Sequence, residues 1–274
     1  MTDTHKEGVV LGKGVPAVLR YSPETLYPIA RNTARETLGL TGELPFHGAD
    51  LWHAYELSWL DPAGVPGSWV GRLRLPATSP RMVESKSLKL YLNSLNNHRF
   101  ASEGEAVATI TADITAVVGE AVSLELFQPD DPQLAGIALR GDCLDHLGVA
   151  APGTEPDGSR LIVSGQEVVT RSCFSHLLRS LCPVTGQPDW ATVWLQYRGR
   201  EIEPRTLLAY LLSFRQHQEF HEQCVERIFV DILRHCRPDS LQVQAFYTRR
   251  GGLDINPFRS TDPAGKPLPR LNRQ

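Results

Sequence analysis

Cys182 and Asp189 stand in the run Leu181-Cys182-Pro183-Val184-Thr185-Gly186-Gln187-Pro188-Asp189-Trp190, a thiol and a carboxylate separated by a turn-rich loop. A cysteine reacts as its thiolate, and the adduct it forms needs a neighbouring acid to manage protons. Two prolines and a glycine favour a bent, preset backbone, so the loop can bring the two groups together without helical periodicity. A plainer reading, Cys182 as a small apolar filler and Asp189 as a turn former, fits the loop equally well.

Other groups of reactive residues carry weaker signals. Val83-Glu84-Ser85-Lys86 places an acid, a hydroxyl and a lysine at the start of an expected helix. Ser85 as helix cap, Glu84 at the positive helix end and solvated lysines would explain it without chemistry. Arg249-Arg250-Gly251-Gly252 reads as a turn after the final strand. With Lys86 it could offer charge and backbone N–H groups to a phosphate, although a solvated turn accounts for it too. His217 and His221 lie near a helix start, and Glu222 follows. The H-E-x-x-H order of zinc proteases is absent, so His217 reads as solvated and His221-Glu222 as a surface pair. Cys143-Leu144-Asp145-His146 resembles half a zinc site with no second half, which favours a loop. Gly12-Lys13-Gly14-Val15-Pro16-Ala17 matches G-x-G-x-x-A but lacks a strand-turn-helix unit, and it too reads as a loop. No metal is expected.

The elements that must position these residues fall into two similar halves. Residues 51–60 and 68–75 read as strands, followed by helices over 86–97 and 103–118 and a strand over 122–127. Residues 174–180 and 191–197 repeat the strand pair around the Cys182 loop. Helices over 204–214 and 219–236 and a strand over 241–247 complete the second set. Pro204 suits a first helical turn, and Arg237-Pro238 a helix end. A duplication follows, joined through the Pro- and Gly-rich residues 149–158, and strand pairs alternating with helix pairs argue for antiparallel α+β layers.

Composition restricts the partners. The 274 residues are 41% hydrophobic, enough for a large core in one or two domains. Lys and Arg total 28 against 31 Asp and Glu, a net charge of −3, with no basic block, so a small ligand is expected and not nucleic acid. The polar N-terminus and the lack of a long apolar run suggest neither secretion nor membrane insertion, leaving the cytoplasm as the expected location. Five irregularly spaced cysteines fit reduced thiols, with Cys173, Cys224 and Cys236 in core positions.

Four segments together carry a family resemblance: Glu84 to Tyr91, Cys182 to Trp190, Phe214 to Ile228, and Tyr247 to Ser260. In this order they closely resemble the NADPH-dependent 7-cyano-7-deazaguanine reductases, the nitrile reductases of queuosine biosynthesis. Gly48-Ala49-Asp50-Leu51-Trp52 and Tyr55 to Leu60 are similar to the family's long, two-module form. Residues 129–168 match less well.

The resemblance implies tandem tunnelling-fold modules, over residues 1–148 and 159–274, and a homodimer. It implies four-electron reduction of a nitrile to a primary amine using two NADPH, in a pathway of tRNA modification. Cys182 matches the nucleophile that forms a covalent thioimidate, and Asp189 the acid/base. His221 matches a proton donor and, with Glu222, a substrate-holding pair. Val83, Glu84 and Ser85 match the other side of the 7-deazapurine pocket, expected to lie between the modules. Ser85, Lys86, Arg250 and Gly251 match NADPH contacts. Two alternatives are a cyclohydrolase-like hydrolase and a catalytically silent purine-binding module of the same fold. The first lacks an evident metal-ligand set, and the second leaves the thiol and acid unexplained.

Overall fold

The computed structural model of the chain describes residues 20–150, 153 and 155–274. The glycine motif at residues 12–17 lies outside them. The described strands are β1 (Pro28–Ala30), β2 (His47–Leu60), β3 (Pro66–Pro76), β4 (Arg81–Val83), β5 (Ser123–Phe127), β6 (Asp142–Cys143), β7 (Val163–Leu181), β8 (Pro188–Ile202), β9 (Ser240–Tyr247) and β10 (Leu253–Ser260). The α-helices are α1 (Asn32–Thr37), α2 (Ser85–Ser94), α3 (Glu103–Val118), α4 (Pro204–Leu212) and α5 (His221–Cys236). This is an α+β protein, with extensive, mostly antiparallel sheet and few helices. The repeated order expected from the sequence is present: β2, β3, α2, α3, β5, then β7, β8, α4, α5, β9, with the short β4 inserted in the first set.

Local chemistry explains where the helices lie. In α3, Ala106, Ile110, Ile114 and Val118 recur every four residues and are buried. Ser102 Oγ accepts the Glu105 N–H at 3.1 Å, and Gly119, left-handed at φ 82°, ends the helix. In α5, Val225, Ile228, Phe229 and Ile232 form the buried stripe. Arg237 takes the left-handed C-cap at φ 50°, and Pro238 cannot continue the helix. Pro204 occupies the first turn of α4, where its missing N–H costs nothing. The cap of α2 differs from the expectation. Glu84, not Ser85, is the N-cap, its carboxylate accepting the Lys86 N–H at 2.9 Å and the Ser87 N–H at 2.7 Å.

The chain divides into two compact units whose segments interleave along the sequence. The first comprises the described part of Met1–Thr33 with Leu51–Leu134 and Arg249–Asp254. Its strands follow the order β5-β3-β2-β10, and β1 pairs separately with β4. Val70, Phe127 and Leu134 form one core cluster, while Trp59 stacks on Trp69 at 3.9 Å. The second unit comprises Ala34–Asp50, Ala135–Thr248 and Ile255–Gln274. Its order is β2-β10-β9-β8-β7-β6, with the β6–β7 pair parallel and α5 packed on β9. Gly48 allows β2 to pass close to β10, since a Cβ there would lie 2.1 Å from the Phe258 carbonyl oxygen.

Two further features depart from the sequence reading. Strands β7 and β8 extend well beyond residues 174–180 and 191–197. The outer half of β7 is mostly exposed and polar, so it lacks an apolar period, and the ladder to β8 and the Arg171–Glu201 pair hold it. The final strand is not residues 241–247, because β10 follows it. All eight residues of β10 are buried, including Asp254, Asn256 and Arg259. Four polar residues and a proline hide a central strand from a pattern search, since Asp254, Asn256 and Arg259 are satisfied by partners far away in sequence.

Candidate active site

The β7–β8 hairpin builds the thiol and acid pair. Register brings Ser180 opposite Asp189 and Leu181 opposite Pro188. One step further, the Cys182 N–H donates to the Gln187 carbonyl at 2.9 Å, and the Gly186 N–H donates back to the Cys182 carbonyl at 2.9 Å. Gly186 closes this turn with φ 67°, a conformation costly for other residues. The Leu181 N–H donates to the His217 carbonyl at 2.8 Å, fixing the hairpin end to the segment that leads into α5. Because opposed residues share a face and side chains alternate, Cys182, Ser180 and Asp189 lie on one face. Cys182 and Asp189 are diagonal neighbours there, about 7 to 8 Å apart. Both are buried, at 6% and 4% exposure, so substrate would meet them out of bulk water.

The start of α5 adds an imidazole. His221 Nε2 lies 3.3 Å from Asp189 Oδ2, and its ring stacks on Tyr247 at 3.7 Å and 9°. Its Nδ1 is buried and finds no hydrogen-bond partner among the described residues. A ring held on both sides with one nitrogen unmatched suits a group that exchanges a proton with a ligand. Burial, then the nearby Cys224 and Asp189, push the Tyr247 hydroxyl well above its ordinary pKa, so it stays protonated under the ring. Tyr247 is a site residue the sequence reading missed, although it ends a strand that was foreseen. Glu222, next to His221 in the first helical turn, is 3% exposed, so the surface-pair reading does not hold.

His217 is not solvated either. Its Nδ1 lies 2.8 Å from Glu155 and its Nε2 3.0 Å from Glu219, which also binds Arg227. Cys173, Cys224 and Cys236 are core residues as expected, and all five cysteines are free. Burial raises the Cys173 and Cys236 thiols to about 12 and leaves them inert.

The remaining predicted site residues belong to the first unit. Val83 pairs with Pro28, and the Glu84 N–H donates to the Tyr27 carbonyl at 2.9 Å, so the backbone entering α2 is fixed. Glu84 is 1% exposed. Oε1 accepts the Lys86 N–H and, at 3.4 Å, the Ser85 hydroxyl, while Oε2 accepts the Ser87 N–H and retains a further lone pair. A carboxylate set in this way is oriented before any ligand arrives.

The turn after β9 is anchored by paired bonds between Arg250 and Leu253, of 2.8 and 3.1 Å. Its Gly252 carbonyl accepts the Tyr55 N–H at 2.9 Å, and the Arg249 guanidinium lies 4.3 Å over the Tyr55 ring. The Tyr55 hydroxyl and His53 Nδ1 both bind the Asp254 carboxylate, at 2.5 and 2.8 Å. The lysine that reaches the turn is Lys89, whose Nζ lies 3.0 Å from where a Cβ on Gly251 would stand. A shallow cleft here is lined by Glu56, Lys89, Asn93, Gly251 and Gly252. Lys89, Arg249, Arg250 and two glycines form a donor set that fits a phosphate-bearing ligand.

A buried thiol, carboxylate and imidazole on an α+β scaffold are the groups that covalent addition with proton transfer requires. Comparison with known proteins narrows this class. Residues 18–126 match the family described as "Nitrile reductase, 7-cyano-7-deazaguanine-reductase N-term", and residues 188–266 match a QueF-like protein family. Three curated relatives bear the name NADPH-dependent 7-cyano-7-deazaguanine reductase. The one from Desulfotalea psychrophila is 47% identical over 263 residues, covering 95% of each chain. The Coxiella burnetii (strain Dugway 5J108-111) relative is 48% identical over 92% of this chain and 91% of its own. That from Azoarcus sp. (strain BH72) is 49% identical over 93% and 92%. This chain belongs to the 7-cyano-7-deazaguanine reductase family. A solved structure of an archaeosine synthase QueF-Like is 17% identical, with TM-score 0.31 over 38% of this chain, too slight a likeness to inform the fold.

Proposed function

We infer that this chain catalyses the NADPH-dependent reduction of 7-cyano-7-deazaguanine to 7-aminomethyl-7-deazaguanine, in queuosine biosynthesis. The observation that carries the reading is the gathering of Cys182, Asp189 and His221 at the hairpin end, in a chain nearly half identical to reductases of that name. The Cys182 thiolate adds to the nitrile carbon, forming the C–S bond of a thioimidate. Asp189 supplies a proton to the nitrile nitrogen, and His221, bonded to Asp189, replenishes it. NADPH, when bound, supplies the hydrides, two per nitrile. After the first reduction the tetrahedral adduct expels the Cys182 thiolate, leaving an imine. The nitrogen takes its remaining proton as the amine forms.

Glu84 and Glu222 serve as carboxylates that accept the amino and ring N–H groups of the base, with Val83, Ser85 and His221 completing the substrate contacts. Ser85, Lys86, Arg250 and Gly251 hold NADPH, and Lys89 and Arg249 join them at the phosphate-compatible turn. Tandem tunnelling-fold modules over 1–148 and 159–274 are supported by the repeated element order. A homodimer and a cytoplasmic location complete the proposal. No described helix is long and apolar enough to cross a membrane.

The test is NADPH consumption and product mass on mixing the protein with 7-cyano-7-deazaguanine. Two NADPH consumed per aminomethyl product is the expected result. A covalent adduct without turnover would retain Cys182 and remove the cofactor assignment. Neither adduct nor turnover would leave a binding module.

A further inference from the structure

Cys143-Leu144-Asp145-His146 resembles half of a zinc site in the sequence, and the fold brings His176, not His146, to Cys143 and Asp145. Strand β6 runs parallel to β7 with Cys143 opposite Phe174. Asp145 follows in the turn Leu144–Leu147 and stands beside His176, whose backbone N–H it accepts. The Cys143 thiol, one carboxylate oxygen of Asp145 and one ring nitrogen of His176 lie within 4.8 Å of one another. We propose that these three residues form a binding site for a divalent transition metal, zinc foremost, separate from the nitrile-reducing centre.

The surroundings of the three side chains are those of ligands held in place. Asp145 accepts the Ser175 hydroxyl at 2.6 Å and the His176 N–H at 3.2 and 3.1 Å. His176 Nδ1 lies 2.9 Å from the Thr192 hydroxyl, leaving Nε2 for a metal. Ligating imidazoles and carboxylates commonly carry such outer partners, which fix ring orientation and charge. Thr192 is buried at 1% exposure, so its contact orients the ring from within the sheet. Cys143 and Asp145 are half-buried and His176 is exposed, which gives an ion a path of entry.

Zinc–ligand bonds of about 2.0 to 2.3 Å imply tetrahedral ligand separations of roughly 3.3 to 3.8 Å. Closing the cluster on an ion therefore asks for side-chain movements of about 1 Å. Sulfur, nitrogen and oxygen donors with a fourth position for water suit zinc or cobalt over magnesium or calcium. His176, on β7, precedes Cys182, just past the end of that strand, by six residues, roughly 20 Å of extended chain, so an ion here would not reach the reacting nitrile. Its effect is to tie the two-residue edge strand β6 and the turn Leu144–Leu147 to β7.

Cobalt(II) provides the test, because thiolate ligation gives a near-ultraviolet charge-transfer band and tetrahedral geometry gives intense visible bands. Full-length protein stripped with chelator and titrated with cobalt(II), then zinc(II), should bind one equivalent of each per chain with both signatures. Cys143→Ser should remove the charge-transfer band, and His176→Ala should lower affinity at least 100-fold. Thr192→Val, which removes only an outer partner, should weaken binding about 10- to 100-fold while keeping the stoichiometry. Zinc should also raise the thermal midpoint of the wild type but not of His176→Ala. Reductase turnover should be the same for stripped and zinc-loaded protein, so failure here is distinguishable from failure of the proposed activity. No bands, or bands unchanged in both Cys143→Ser and His176→Ala, would overturn the site.

Discussion

Cys182 differs from the other buried cysteines in its company. Cys173 and Cys236 are held in apolar surroundings that push their thiols to about 12, whereas Cys182 sits on a hairpin end with Asp189 and, through it, His221. Cys182→Ala should therefore abolish both the covalent adduct, read by intact mass, and turnover, while leaving the circular dichroism spectrum unchanged. An adduct persisting in that variant would move the nucleophile elsewhere. His217, beside the same loop, gives a pH prediction. Its burial alone would lower its pKa, but Glu219 and then Glu155 outweigh this and raise it above the ordinary 6.5. A raised folded pKa contributes stability that is fully present below pH 6.5 and is lost as pH rises through the folded value. His217→Asn should thus lower the denaturation midpoint more at pH 6 than at pH 8.5. Equal losses at both would mean that the imidazole carries no useful charge. At this scale the sequence disclosed residues that stand close together along the chain, such as Cys182 and Asp189. It could not disclose Tyr55 bonding Asp254, or Tyr247 stacking on His221, because nothing local marks contacts made across the fold.

The elements were most legible where burial is one-sided. Helix α3 matches its expected span because every fourth residue faces the core and a serine and a glycine bound it. Strand β10 was not legible because its buried polar residues find partners on distant segments, which reverses the usual sign of polarity. Helix α2 shows how one element serves two ends, since its N-cap Glu84 is also the carboxylate proposed for the base. The two roles separate by substitution. Glu84→Ala loses the cap, at a cost of about 1 kcal/mol, and loses the acceptor for the base. Glu84→Ser restores a good cap but not the carboxylate. In a Cys182→Ala background, where binding occurs without adduct, both variants should bind 7-cyano-7-deazaguanine weakly while only Glu84→Ala loses stability. Unchanged affinity in Glu84→Ser would remove Glu84 from the pocket and leave it as a helix cap.

The repeated element order suggests modules that are contiguous in sequence, but the second compact unit draws on residues 34–50 from the other end of the chain. Those residues bring Phe46, whose ring meets Phe229 edge-on at 5.6 Å, and they supply Arg35 and Asp50 to a buried ionic cluster. Arg259, fully buried, binds Asp50 and Glu226, each at 2.8 Å, and Glu226 also binds Arg35 at 2.8 Å. Burial alone would lower the Arg259 pKa, but Asp50 and Glu226 raise it, so the guanidinium stays charged. Among the described residues, Arg35 and Arg259 face Asp50 and Glu226 there, and leaving a buried charge without its partner costs about 3 to 5 kcal/mol. Asp50→Leu should accordingly lower the thermal midpoint of the full chain by several degrees or more. A fragment of residues 159–274 should fare worse. It keeps the Arg259–Glu226 pair but loses Asp50 and Arg35 from either side of it, uncovers Phe229, and leaves β10 without its β2 neighbour, as an exposed edge open to aggregation. We expect that fragment to show no cooperative thermal transition and to regain one when residues 34–50 are fused to it. A fragment that melts cooperatively by itself would establish the second module as an autonomous folding unit and reduce the contribution of residues 34–50 to trimming.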